Sequence, residues 1–392
     1  MRSSVGVRRL SGGSARWLAV AGVLSMALPA FPQAAFVQNG SAGFVVSDIK
    51  YALADDAGKT GACPHGMALN AGEIFARTPQ GKRKKGESDE QYAHRLQEGA
   101  QEFSTAPNGQ NLCMNPEAGK PDPNFRTVDA GNIRVDGIDL DGPHGERGVE
   151  NQFYRVVGCT RSFQSSGLSN SFATEMLTGA WGILITLGGV HDIHNDASVD
   201  VGIFANADPI QLSPSRAPLV NATYAIDQDP RFRARTKGRI HDGVLTTDPV
   251  DVRFHWIVNG LHLERPLRHA RLRVTVSENG TLSGYLAGYT PVDAMYDMQY
   301  GYRNGKTASG ELAPLPLRLH TGNGAAAVLG HTCQGAYFAL NQYADGDPDP
   351  KTGRFTSIST QYRLTAIPAF VVDEPTESSN AKLIEKAKPH DH

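Results

Sequence analysis

Asp251–Arg268 reads DVRFHWIVNGLHLERPLR. Apolar and polar residues alternate on both sides of Asn259-Gly260, a dipeptide that tolerates the two left-handed residues of a type I′ turn, so the stretch predicts a tight β-hairpin. A two-residue turn fixes the register. Val258 falls opposite Leu261, Trp256 opposite Leu263, Phe254 opposite Arg265 and Val252 opposite Leu267 on one mostly apolar face. The other face carries His255, Ile257, His262 and Glu264, with His255 opposite Glu264 and Asp251 expected to pair with Arg268.

Arg271–Tyr289 repeats the device, a short loop with Gly280 in the left-handed conformation placing Val276 opposite Leu282 and Leu272 opposite Leu286, which predicts a four-strand meander. Further strands are expected at Gly43–Leu53, Gly182–Leu187, Ser198–Phe204, Ala336–Leu340 and Gln361–Val371. Helical periodicity is confined to short pieces. Ser88 with Gln91 forms a capping box ahead of Tyr92, Leu96 and Phe103, Gly148–Cys159 carries an apolar face that stops at Gly158, and a helix is expected at Pro291–Tyr300. The fold class is therefore mainly β, an antiparallel β-sandwich or open barrel with small helical insertions.

Residues 1–35 read as a cleavable signal peptide: Arg2, Arg8, Arg9 and Arg16 precede an apolar run from Trp17 to Phe31 and the small pair Ala34-Ala35. The run is about 15 residues, short of the roughly 20 that cross a bilayer, so a periplasmic or secreted product without a permanent membrane anchor is expected. Arg8-Arg9 could belong to a twin-arginine signal, but Val7, Leu10 and Ser11 match that signal poorly, and an ordinary basic region is favoured. Residues 36–130 are expected to form an N-terminal strand plus helical insert, residues 131–372 the β core of the same domain, and residues 373–392 a polar tail. A net charge of −2 argues against a general nucleic-acid binder, and Lys82–Lys85 lacks interleaved aromatics and reads as a solvated loop.

In an oxidising compartment Cys63, Cys113, Cys159 and Cys333 are expected to form two disulfides, with three pairings open. The pairing of Cys63 with Cys113 and Cys159 with Cys333 would close a loop of about 50 residues and tie the two halves. There is no CxxC, G-x-S-x-G or H-E-x-x-H signature.

Two acidic, glycine-rich loops suit Ca²⁺, a hard cation that takes six to eight oxygen ligands. In DGDPDPKTG, Asp345, Asp347 and Asp349 alternate as the first ligands of many calcium loops do, although Pro350 replaces the usual sixth-position glycine and Thr356 the twelfth-position glutamate. DGIDLDGPHGERGVEN offers Asp136, Asp139, Asp141, Glu146 and Glu150, interrupted by Pro143 and His144. A looser cluster, HDIHND, carries His191, Asp192, His194, Asn195 and Asp196, which serve equally well as turn formers. On the hairpin's polar face, His255, His262 and Glu264 make a two-histidine, one-carboxylate set suited to Fe, Zn or Mn, against which stands a plain cross-strand His–Glu pair.

At GIDLDG followed by GVENQFYRVVGC, and again at HTCQGAYFAL with ADGDPDPKTGRFTSIS, the chain resembles a family of exported bacterial proteins over about residues 40–372. The resemblance implies that the acidic loops and cysteine regions are shared features and implies no activity. The expectation is an exported, calcium-stabilised β-sandwich that binds a small ligand or an envelope protein; the alternative is a metal-dependent hydrolase or oxygenase built on His255, His262 and Glu264.

Overall fold

The hairpin that anchors the reading forms in the expected register, from Val258 opposite Leu261 to Val252 opposite Leu267, with Asn259 and Gly260 both at positive φ (50° and 76°). The structure, a computed structural model, describes residues 35–52, 63–129, 137–140, 150–164 and 175–373. The expected signal peptide, apart from Ala35, and the tail from residue 374 lie outside the described residues, as do Asp136, Asp141 and Glu146.

The strands are β1 (Ala42–Tyr51), β2 (Gly182–Gly188), β3 (Asp196–Asn206), β4 (Thr223–Ala225), β5 (Arg233–His241), β6 (Val244–Thr247), β7 (Val250–Val258), β8 (Leu261–Val276), β9 (Leu282–Pro291), β10 (Gly346–Pro348), β11 (Phe355–Pro368) and β12 (Phe370–Val372). The fold is mainly antiparallel β, as read. Pairing runs β1-β2-β3-β5-β6-β8-β9-β11, and β11 then pairs back onto β1, so the sheet closes into a ring. Closure pairs the edges that an open sheet would leave to solvent. β7 lies along the first half of β8, β10 adds to β11, and β4 with β12 forms a separate parallel ribbon.

Three local expectations are corrected. The meander has three long strands instead of four, because residues 261–276 run as one strand, with a bulge where four strands would need a turn. His269 takes φ 49° there, and Ala270 is fully buried. The same bulge separates Asp251 from Arg268: Asp251 accepts from the His269 amide at 2.9 Å, and Arg268 donates to Asp347 at 3.1 Å. Ala336–Leu340 is helix, since the Thr332 side chain caps the segment by accepting from the Gly335 amide. β5 and β6 were not expected.

The helices are α1 (Ala71–Arg77), α2 (Asp89–Phe103), α3 (Gln152–Val157), α4 (Arg161–Gln164), α5 (Val292–Tyr296), which continues as a π-helical turn at Asp297–Gly301, α6 (Leu315–Leu329) and α7 (Cys333–Gln342). Asn70 and Ser88 cap α1 and α2 with full capping boxes. Among the described residues no helix is long and apolar enough to cross a membrane.

Two disulfides form, Cys63–Cys159 and Cys113–Cys333, a pairing other than the one that would have joined Cys63 to Cys113. They span 96 and 220 residues and fix the α1–α2 insert and the start of α7 to the rest of the chain. Each is worth about 5 kcal/mol in the loop-entropy account.

Phe254's partner Arg265 is the one charged residue on the hairpin's apolar face, and it is buried. Its guanidinium lies 3.4 Å from the centre of the Trp256 ring and 4.4 Å from that of Trp181, and it donates to the Tyr51 hydroxyl at 3.0 Å. The cation is thus held by ring faces and a hydroxyl that join β1, β7, β8 and the entry to β2.

Candidate ligand cleft

The helices create a cleft of about 720 Å³ between α1–α2 on one side and α6 with the start of α7 on the other. Sequence dictates the walls locally. The Asn70 side chain caps α1 and also donates to the Ala327 carbonyl of α6 at 3.0 Å. Asn111 accepts from the Cys113 and Met114 amides, folding its own turn, and donates to Asn323 of α6 at 3.3 Å. The Cys113–Cys333 disulfide then clamps that turn to α7, and Cys333 itself lines the cleft.

Gln97, Gln101, Ser104, Asn111, His320 and Asn323 supply amide, hydroxyl and imidazole groups, and among the described residues no Asp, Glu, Lys or Arg lines the cleft, in a chain that is 20% charged. His331 lies in the wall, 1% exposed, packed edge-on against Tyr300 and Phe125. Its Nδ1 meets the Thr332 carbonyl at 3.2 Å, and because a carbonyl only accepts, Nδ1 carries the proton and Nε2 is a bare acceptor. That Nε2 has no hydrogen-bond partner among the described residues. Burial pushes the imidazole down to about 4, so it is neutral at ordinary pH. A smaller chamber of about 310 Å³, lined by Glu175, Trp256, Gln299 and Tyr302, lies on another side of α6, and His320 and Gly324 border both spaces.

Comparison with protein-family models, curated proteins and solved structures finds no match. The chemistry of the molecule therefore rests on its own residues.

On the polar face of the β7–β8 hairpin, His255 stands opposite Glu264 as expected, but the side chains go elsewhere. His255 Nε2 meets Asp227 at 2.8 Å and its ring packs tilted against Phe232, 4.0 Å between centres. Glu264 accepts from Arg231 at 2.7 Å and from Arg253. Burial pushes Glu264 up and the two guanidinium groups pull it further down, leaving it below the usual carboxylate range. Burial, then the charge of His255, lowers the basicity of His262. Among the described residues no group of three or more His, Cys, Asp and Glu is placed to hold a metal ion.

The carboxylates of the DGDPDPKTG loop also part company. Asp349 accepts from the Lys351 and Thr352 amides and closes its own turn. Asp347, at φ 48°, accepts from Ser357 at 2.8 Å and from Arg268. Asp345 faces inward, accepting from the amide and hydroxyl of Ser359 at 2.7 and 2.6 Å. Burial, with Glu150's like charge adding to it, pushes Asp345 up from 3.8 to about 6 against the pull of Ser359. So the charge of Glu150, from the other acidic loop, is felt at Asp345. Glu150 also accepts from the Leu140 amide at 2.7 Å. The Asp139 carbonyl accepts from Arg271 at 3.1 Å. The HDIHND residues are turn formers: Asp196 accepts from the His191 amide, Asp192 from the His194 amide, and Asn195 from the Asp242 amide.

Sequence reasoning missed the cleft because its main wall, α6, contains Gly322-Asn323-Gly324, which reads as a turn. Gly322 is there for close approach: a Cβ would come within 3.1 Å of the Gly301 carbonyl and 3.3 Å of the Cys113 Cβ. The signals that could have found the helix are the prolines at its start, the Ala325–Ala327 run and Gly330 at φ 82° as its stop.

Proposed function

We propose that the protein is an exported binding protein of the cell envelope that holds a small ligand in the cleft between α1–α2 and α6–α7. The observation that carries this reading is a cleft of about 720 Å³ whose walls are already tied together by a disulfide and by the Asn70 and Asn111 hydrogen bonds. Its size falls in the range of small-molecule sites, and pre-fixed walls reduce the ordering cost of binding. Two disulfides fit an oxidising compartment. A thermal-shift screen of small metabolites tests it, using the native chain and an Ala327→Trp variant that fills the cleft. A ligand that raises the melting temperature of the native chain and not of the variant is expected; hits that stabilise both alike count against the cleft.

A second element of the reading is that Ca²⁺ stabilises the barrel at the inward-facing Asp345, supported by the like charge of Glu150, from the other acidic loop, acting on it. After EDTA treatment, calcium at about 100 times its Kd should add about 2.7 kcal/mol of stability, and Asp345→Asn should abolish the gain. An unchanged melting temperature removes calcium from the account.

A further inference from the structure

We infer that the ligand of the cleft is a neutral, hydroxyl-rich molecule, a short oligosaccharide; this rests on the cleft being the binding site. Three observations point to that class. First, among the described residues no Asp, Glu, Lys or Arg lines the cleft, so a phosphate, carboxylate or ammonium would lose its water and meet no carboxylate or guanidinium counter-charge there. Second, the polar groups that are present are amides and hydroxyls, each able to donate and to accept, with the imidazoles of His320 and His331 beside them. A sugar hydroxyl does both as well, so it can pair with the Gln97 and Gln101 amides and with the acceptor lone pairs left on Ser104 and Thr105, whose hydroxyl protons already bond to carbonyls of α2. Third, beneath the lining, His331 holds a bare Nε2 acceptor and Tyr300, whose ring centre is 4.8 Å from that of the imidazole, holds a buried hydroxyl, and neither atom has a partner among the described residues. Buried polar atoms left unpaired are costly, and the bare Nε2 of His331, a residue of the cleft wall, is an acceptor that a hydroxyl donor satisfies and an anion does not.

The small apolar residues of the cleft, Ala71, Gly72, Ala100, Gly324 and Ala327, leave space along α1, α2 and α6 for a ligand with breadth. Among the described residues no Phe, Tyr or Trp lines it, so recognition there falls to hydrogen bonds, not to stacking on a ring face. An uncharged peptide shares the neutrality but brings side chains that need separate pockets.

Isothermal titration calorimetry of the whole exported chain distinguishes these cases. The probes are neutral trisaccharides (maltotriose, cellotriose, xylotriose, tri-N-acetylchitotriose), the charged trimers of galacturonic acid and of glucosamine, and an end-blocked uncharged tripeptide. At least one neutral trisaccharide should bind with a Kd below about 1 mM, and Ala327→Trp should weaken it by more than about tenfold. Gln101→Arg, on the exposed face of α2, gives the same loss by introducing a charge and serves if the tryptophan variant does not fold. Binding of a charged trimer or of the tripeptide in place of the neutral sugars overturns the ligand class and leaves the cleft as a site. If no probe binds, or if binding is indifferent to both variants, the cleft holds ordered water only and the binding reading falls with the ligand class.

Discussion

The outer face of the β7–β8 hairpin and the helical cleft are opposites. The hairpin face is dense with ionisable groups, Asp227, Asp229, Arg231, Arg253, His255 and Glu264, and those groups bond to one another. Among the described residues no Asp, Glu, Lys or Arg lines the cleft, yet beneath it lie a histidine acceptor and a phenol that meet no partner among them. The difference teaches that charge density marks cross-linking here, and that unpaired polar atoms gather instead under the cleft proposed to take a ligand.

The largest break in the comparison comes from removing the Cys113–Cys333 bridge. Its 220-residue span implies a loss of about 5 kcal/mol in the paired Cys113→Ser, Cys333→Ser variant, measured by denaturant unfolding. The cleft wall should loosen with it, while the hairpin face, which neither cysteine touches, keeps its ion pairs. Loss of under about 1 kcal/mol would show that the Asn70–Ala327 and Asn111–Asn323 hydrogen bonds hold the wall without the bridge.

His331 gives the next effect, through pH. Its folded value of about 4 lies below the ordinary 6.5, so between those values the unfolded chain binds a proton that the folded chain refuses. Stability therefore falls as pH drops from about 6.5 to 4, by on the order of 3 kcal/mol from this group. His331→Phe, which keeps a ring between Phe125 and Tyr300, should flatten that part of the stability–pH curve whatever it does to the absolute value. A curve of unchanged slope would mean that the imidazole is solvated when folded.

These two regions also show what was legible in the sequence. The hairpin was readable because a two-residue Asn-Gly turn and a period of two leave one register, and His255 opposite Glu264 followed from that arithmetic. Where the two side chains would go was not, since Asp227 and Arg231 arrive from the connection between β4 and β5, a long-range event that no local spacing encodes. The ring closure, β1 onto β11, joins strands some three hundred residues apart and was hidden for the same reason. The cleft was least legible of all, because its chemistry is made of Asn, Gln and Ala, residues that are common on any helix surface, and because its main helix carries two glycines.

Glu264 supplies the smallest effect and the cleanest test of the hairpin side. It bridges Arg231 and Arg253 while partly exposed, so Glu264→Gln should cost only about 1 kcal/mol, most of it erased in concentrated salt. Because Arg231 and Arg253 hold the carboxylate below its usual range, the contribution is present at neutral pH and is lost as pH falls through the folded value. The same substitution must leave saccharide titrations of the cleft unchanged. If binding moved with Glu264, the hairpin face would be part of the site, and the separation between a saturated charged face and the cleft would be wrong.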